Sequence, residues 1–154
     1  MKKIYYVLLV VAVAVLFTGC QSKEKNLTGS LKDIMKEVYS GIPSDELPAM
    51  AEIEVTKENQ EYYLGKISFD YEEALASEPL MSSIAHSVVL VRVKDTKDID
   101  AKVAEIKEKV NPRKWICVEV EEQNVVVVNN GNVIMLAMEN NLSAKFKENF
   151  LNLK

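Results

Sequence analysis

Apolar residues recur along this chain in three rhythms, and each rhythm predicts a different kind of element. From Ile4 to Phe17 they run without a break. Leu31, Ile34, Met35 and Val38 then fall at i, i+3, i+4 and i+7, the stripe of an amphipathic helix. Ser30 is placed to cap that helix, with Asp33 three residues on, and Gly41 and Pro43 stop it. Residues 87–94 (SVVLVRVK) are β-branched and apolar on both faces, which predicts a central strand. Ile99, Val103, Ile106 and Val110 share one helical face behind Asp98 as cap, and Asn111-Pro112 ends that helix. Over residues 115–121 the pattern alternates. Ile116, Val118 and Val120 point one way, and Trp115, Cys117, Glu119 and Glu121 the other, as in a half-buried strand. Residues 125–128 and 133–138 flank Asn129-Asn130-Gly131-Asn132. An Asn-Gly pair between apolar runs is a hairpin signal, because both central positions tolerate φ > 0. Asn141 is placed to cap a last helix with Leu142, Phe146, Phe150 and Leu153 on one side.

Residues 43–82 carry no single rhythm. Pro48 and Pro79 break any long helix. Residues 49–55 and 62–69 read equally as strand or irregular chain, residues 70–76 as one or two helical turns, and Ser77-Glu78-Pro79 as a turn or a fresh helix start. The sum is an α+β fold. A mostly antiparallel sheet has strands near 87–94, 114–121, 124–129 and 132–138, and helices near 30–40, 98–110 and 141–152 pack on one face of it. No internal repeat or low-complexity segment interrupts it, so residues 30–154 form a single domain.

The unbroken run at the start has another meaning. Lys2 and Lys3 precede it, and Thr18, Gly19 and Cys20 follow, which is the order of a secretory leader with small residues before its cleavage point. Leu16-Phe17-Thr18-Gly19-Cys20 resembles the lipobox of bacterial lipoproteins. That resemblance implies a diacylglycerol on the Cys20 thiol and cleavage after Gly19. The run is shorter than the roughly 20 apolar residues that cross a bilayer, and the polar stretch from Gln21 adds no hydrophobic length. Residues 1–19 are thus expected to be a signal peptide and residues 20–29 a lipidated cysteine with a flexible tether. The domain would be held at the extracytoplasmic face of the cell membrane, its two or three acyl chains anchoring it stably.

Charge and cysteine count narrow the possibilities further. The chain has 19 basic and 23 acidic residues, a formal charge of −4. Lys2 and Lys3 belong to the leader, which has no acid, so from Cys20 onward 17 bases face 23 acids, a charge of −6. Such a domain lacks the basic footprint that nucleic-acid binding needs. With Cys20 acylated, Cys117 is left as a single thiol and no intramolecular disulfide is possible.

Candidate chemistry is sparse. His86, the one histidine, lies near Ser82, Ser83 and Ser87, but no Gly-x-Ser-x-Gly elbow surrounds a serine. The alternative is a histidine that closes the turn before its strand by bonding backbone. Cys117 follows Arg113 and Lys114, whose charge would favour a reactive thiolate. A cysteine in an apolar strand, however, is ordinarily a small core residue. Asp95, Asp98 and Asp100 cluster without the spacing and glycine of a calcium loop, so no metal and no cofactor is expected. Tyr62, Tyr63 and Tyr71 form the candidate binding surface, since grouped exposed aromatics mark interfaces; the alternative places them in the core.

The runs EYYLG (61–65), EALASEPLMSSIAHSVVLVRV (73–93), NPRKWICVEV (111–120) and NNGN (129–132) together resemble a family of bacterial lipoproteins known as domain of unknown function 4358. The resemblance covers about residues 30–150. It implies a single lipid-anchored domain and carries no catalytic motif. The expectation is therefore a non-enzymatic binding or assembly module, its partners the membrane through the lipid on Cys20 and another envelope protein. A small-ligand (solute) binding accessory is the alternative, and an enzyme using His86 or Cys117 a third. Oligomeric state stays open.

Overall fold

The computed structural model describes residues 26–154. The expected signal peptide (1–19), the expected lipid attachment at Cys20 and most of the expected tether lie outside these residues. Five antiparallel strands form one sheet: β1 (Met50–Glu54), β2 (Glu73–Pro79), β3 (Ser87–Arg92), β4 (Val125–Asn130) and β5 (Val133–Met138), in the order β1-β2-β3-β5-β4. Among the described residues four α-helices accompany them: α1 (Leu31–Val38), α2 (Gln60–Leu64), α3 (Ile99–Lys109) and α4 (Ser143–Leu151). The α+β class is as expected, with β3 at the centre and every one of its six residues buried. Among the described residues no helix is long and apolar enough to cross a membrane.

The helices cover both faces of the sheet, not one. Ala74, Ala76, Val89, Val91, Ile134 and Leu136 point to a core sealed by Leu64 of α2, Ile106 of α3 and the Trp115 ring. Leu75, Val88, Leu90, Met135 and Ala137 point the other way, beneath Ile34 and Val38 of α1 and Phe146 and Phe150 of α4. Successive strand residues alternate between the two cores, which explains the absence of polar alternation in β3 and β5. Fully burying each large side chain of these cores contributes about 1.5–3 kcal/mol.

Local signals near α1 hold. The Ser30 side chain accepts from the Asp33 N–H, capping α1. Asp98 occupies the cap position of α3 but has φ 54° and makes no side-chain cap bond. The residue before α4 is Leu142, not Asn141, and Glu139 accepts from the backbone N–H groups of Asn141 and Leu142. The hairpin is also present, shifted by one residue. Asn130 pairs with Val133, so the loop is Gly131-Asn132, and Gly131, at φ 56°, takes the first loop position.

Three expectations are corrected. Residues 70–79 are not helical; β2 spans Glu73–Pro79, and pairing with both neighbours overrides the helix preference of its alanine, leucine and glutamate. Residues 62–69 begin inside α2 rather than in a strand, whereas 49–55 contain β1, the strand being one of the two readings open there. Residues 114–121 are not a strand, since no sheet strand pairs with them. Trp115 and Val120 turn inward, while Ile116, Cys117 and Val118 turn outward.

The register defines two ends. At the near end, Arg92 closes β3. Its guanidinium donates to Leu27 O, Gly29 O and Glu73 Oε1, each at 2.7 Å, and so clamps the incoming chain. At the far end β1 starts, β2 stops, β3 starts, β5 stops and β4 starts. Segments 43–49, 80–86, 112–124 and 139–142 therefore gather there. Five residue steps of β3 put the ends roughly 17 Å apart along the strand.

Candidate functional site at the far end of the sheet

Lys114 organises the far end. The register of β2 and β3 continues to set Glu78 opposite Ser87, both buried on the α2/α3 face. Lys114 Nζ reaches into this position, 2.7 Å from Glu78 Oε1 and 3.2 Å from Ser87 Oγ, and Ser87 donates to Glu78. The Lys114 and Glu78 side chains are only 2% and 7% exposed. Three rings enclose the ammonium: Tyr62 at 4.7 Å, Tyr63 at 5.0 Å and Trp115 at 5.2 Å. A desolvated cation over one such face gains about 2 kcal/mol.

Burial pulls the Lys114 ammonium below the ordinary lysine value, against the upward pull of Glu78. Burial likewise pushes the Glu78 carboxyl up, against Lys114 and Ser87. In both partners desolvation outweighs attraction, so the pair adds specificity more than stability. It holds loop 113–119 against the sheet in one place.

That loop is closed on itself as well. Arg113 Nε is 2.6 Å from Glu119 Oε2, and Val120 N–H donates to Pro112 O at 2.9 Å. Ile116 N–H donates to Ser82 O at 2.9 Å, joining it to loop 80–86. With Trp115 and Val120 drawn inward, Ile116 and Val118 turn outward together with Arg113, Cys117 and Glu119. Leu80 is 68% exposed, Ile116 62%, Met81 59%, Tyr62 47% and Val118 36%. These side chains belong to segments that the sheet register gathers at, or packs against, the far end.

Two clefts flank the far end. One, of about 620 Å³, lies between α2 and the end of α3, bordered by Tyr62, Gly65, Lys66, Lys109, Asn111 and Lys114. The other, of about 540 Å³, runs between α1 and β1, with Tyr39 and Ser77 among its lining residues. Behind Tyr39 sits His86, whose Nε2 is 2.8 Å from the phenol oxygen and whose ring meets Phe146 edge-on.

The residues singled out from sequence scatter. Tyr62 and Tyr63 flank Lys114, but Tyr63 is buried. Tyr71 is half-buried near the other end, donating to Val55 O beneath Lys57. His86 is buried and bonds a side chain rather than backbone. Ser87 faces the opposite core and serves Glu78, so no Ser87–His86 pair forms. Cys117 is not a core residue: it is exposed on the loop at φ 62°. Among the described residues no group of three or more His, Cys, Asp or Glu is placed to hold a metal ion. Sequence reasoning missed Lys114, Glu78, Leu80 and Met81. A charged residue between proline and tryptophan gives no periodic signal of burial.

Burial brings the His86 pKa down to about 4. The unfolded chain, near 6.5, takes up the proton first, so acidification favours unfolding. Unfolding free energy is expected to fall by up to about 3 kcal/mol as pH drops from 6.5 to 4. Glu78, with its raised value, acts in the opposite sense above the ordinary glutamate range. The measurement is therefore urea unfolding against pH for wild type and His86→Gln. Parallel curves would refute a neutral buried His86.

The chain matches no family model, no curated protein and no solved structure with significance.

Proposed function

We propose that this chain is a lipid-anchored, extracytoplasmic, non-enzymatic binding or assembly module that works through its far end. The observation carrying the reading is the apolar surface of Leu80, Met81, Ile116 and Tyr62, set at the sheet end opposite the Arg92 clamp. A tether attached to Cys20 enters at the near end, so the far end is presented away from the membrane to an envelope protein. Membership of the lipoprotein family resembled in sequence belongs to this proposal.

The test is a photo-cross-linking residue placed in the full chain, in its own envelope, at Ile116 or at Lys94, an exposed near-end position. A reproducible protein adduct is expected at Ile116 and not at Lys94. Equal adducts at both positions, or none at Ile116, would remove the reading. The flanking cleft of about 620 Å³ favours a second reading, a solute-binding accessory. A thermal shift with a small molecule, abolished by filling that cleft at Asn111, would carry it.

A further inference from the structure

We infer that the far-end surface takes a basic, aliphatic protein segment, in which leucine-like side chains are flanked by lysine or arginine. The inference rests on the binding-module reading and names the chemistry of its partner. Its ground is the charge around the apolar centre. The four segments gathered at the far end, 43–49, 80–86, 112–124 and 139–142, contain Asp45, Glu46, Glu119, Glu121, Glu122 and Glu139 against only Arg113 and Lys114. Both cations are already committed. Arg113 is held by Glu119 at 2.6 Å, and Lys114 is buried on Glu78 at 2.7 Å. Lys66 and Lys109, on the neighbouring cleft, are paired in turn with Glu61 at 3.4 Å and Glu108 at 2.9 Å.

What the far-end segments leave outward is therefore negative on balance, with Asp45, Glu46, Glu121 and Glu122 all exposed. Such a rim repels anionic lipid headgroups and acidic proteins and draws a cationic partner, over about 10 Å at ordinary salt. The loop that presents Ile116 is held by the Lys114 pair, the Arg113–Glu119 pair and two backbone hydrogen bonds. Little ordering is left to oppose binding.

The full chain, held in phosphatidylcholine nanodiscs with empty discs as blank, is titrated with two fluorescent amphipathic peptides of equal length, one leucine/lysine and one leucine/glutamate. The lysine peptide is expected to bind at least about tenfold more tightly, a difference near 1.4 kcal/mol. Its affinity should fall about tenfold in Leu80→Ser/Ile116→Ser, fall less in Glu121→Gln/Glu122→Gln, and weaken with added salt. Equal binding of the two peptides, no binding of either, or unchanged binding by Leu80→Ser/Ile116→Ser would overturn the inference. So would co-flotation with phosphatidylglycerol vesicles that the same double variant abolishes, which would assign the patch to a membrane. An Ile116 cross-link without peptide preference sinks the basic-segment assignment alone; absence of the cross-link sinks the module reading with it.

Discussion

Replacing Lys114 with methionine is expected to lower the unfolding free energy by about 3–5 kcal/mol, because it leaves the Glu78 carboxylate buried without its cation. A domain of this size has about 5–15 kcal/mol in total, so the loss is severe. The sign of the double variant separates the causes. Glu78→Gln/Lys114→Met removes both charges, and burial already works against each of them. It should recover most of the stability, as replacement of buried pairs by neutral groups does elsewhere. Urea unfolding of wild type, both single variants and the double variant gives the comparison. A Lys114→Met loss below about 1 kcal/mol would mean the pair is surface-like in energy, contrary to its burial. Amide exchange at Ile116 should rise in the single variant, since the loop loses its hold on the sheet.

Gly65→Ala should cost about 4 kcal/mol. Gly65 follows α2 with φ 76° and ψ −172°, a region closed to side chains, where strain alone costs about 1–3 kcal/mol. A Cβ there would lie 2.2 Å from the Lys109 carbonyl oxygen and 2.5 Å from its carbon, backbone atoms that end α3. The chain must shift, which adds about 1–3 kcal/mol of overpacking. Gly41→Ala is the control. It has φ 73° but nothing within 4 Å of the added carbon, so only the backbone preference of about 1–2 kcal/mol is lost. Equal midpoints for the two variants in urea would show that the close approach of α2 to α3 is not maintained in solution.

The elements legible in sequence were those whose rhythm and burial agree. The stripe of α1, the doubly apolar β3 and the hairpin flanking Gly131 each state their own burial, and the fold class follows from them. β2 did not, because Glu73-Ala-Leu-Ala has helix-favouring residues, and only its neighbours β1 and β3 make it a strand. Residues 114–121 failed in the opposite way. Their alternation is real, but the neighbouring outer edge of β4 takes no further strand, and Lys114 enters the interior to meet Glu78, 36 positions away in sequence. Trp115 follows it inward, which reverses the face that Ile116 and Val118 present. The candidate surface was read only in part: Tyr62 belongs to the far end, whereas Tyr63 supports it from below and Tyr71 lies elsewhere. A buried ion pair between distant segments leaves no period to read, and a surface made by its consequences leaves none either.

The Arg92 clamp also decides how the molecule would bear load. If the chain before Leu27 were held at a membrane, as proposed, a partner drawn away from the far end would place the sheet under tension between its two ends. That tension would enter through Leu27 and Gly29 and pass by two hydrogen bonds to Arg92, the last residue of β3, which is tied in turn to Glu73 of β2. β3 is bonded along its length to β2 on one side and β5 on the other, so its ladder is sheared all at once rather than unzipped from an edge. Traction between the two ends would thus reach a strand bonded on both of its sides.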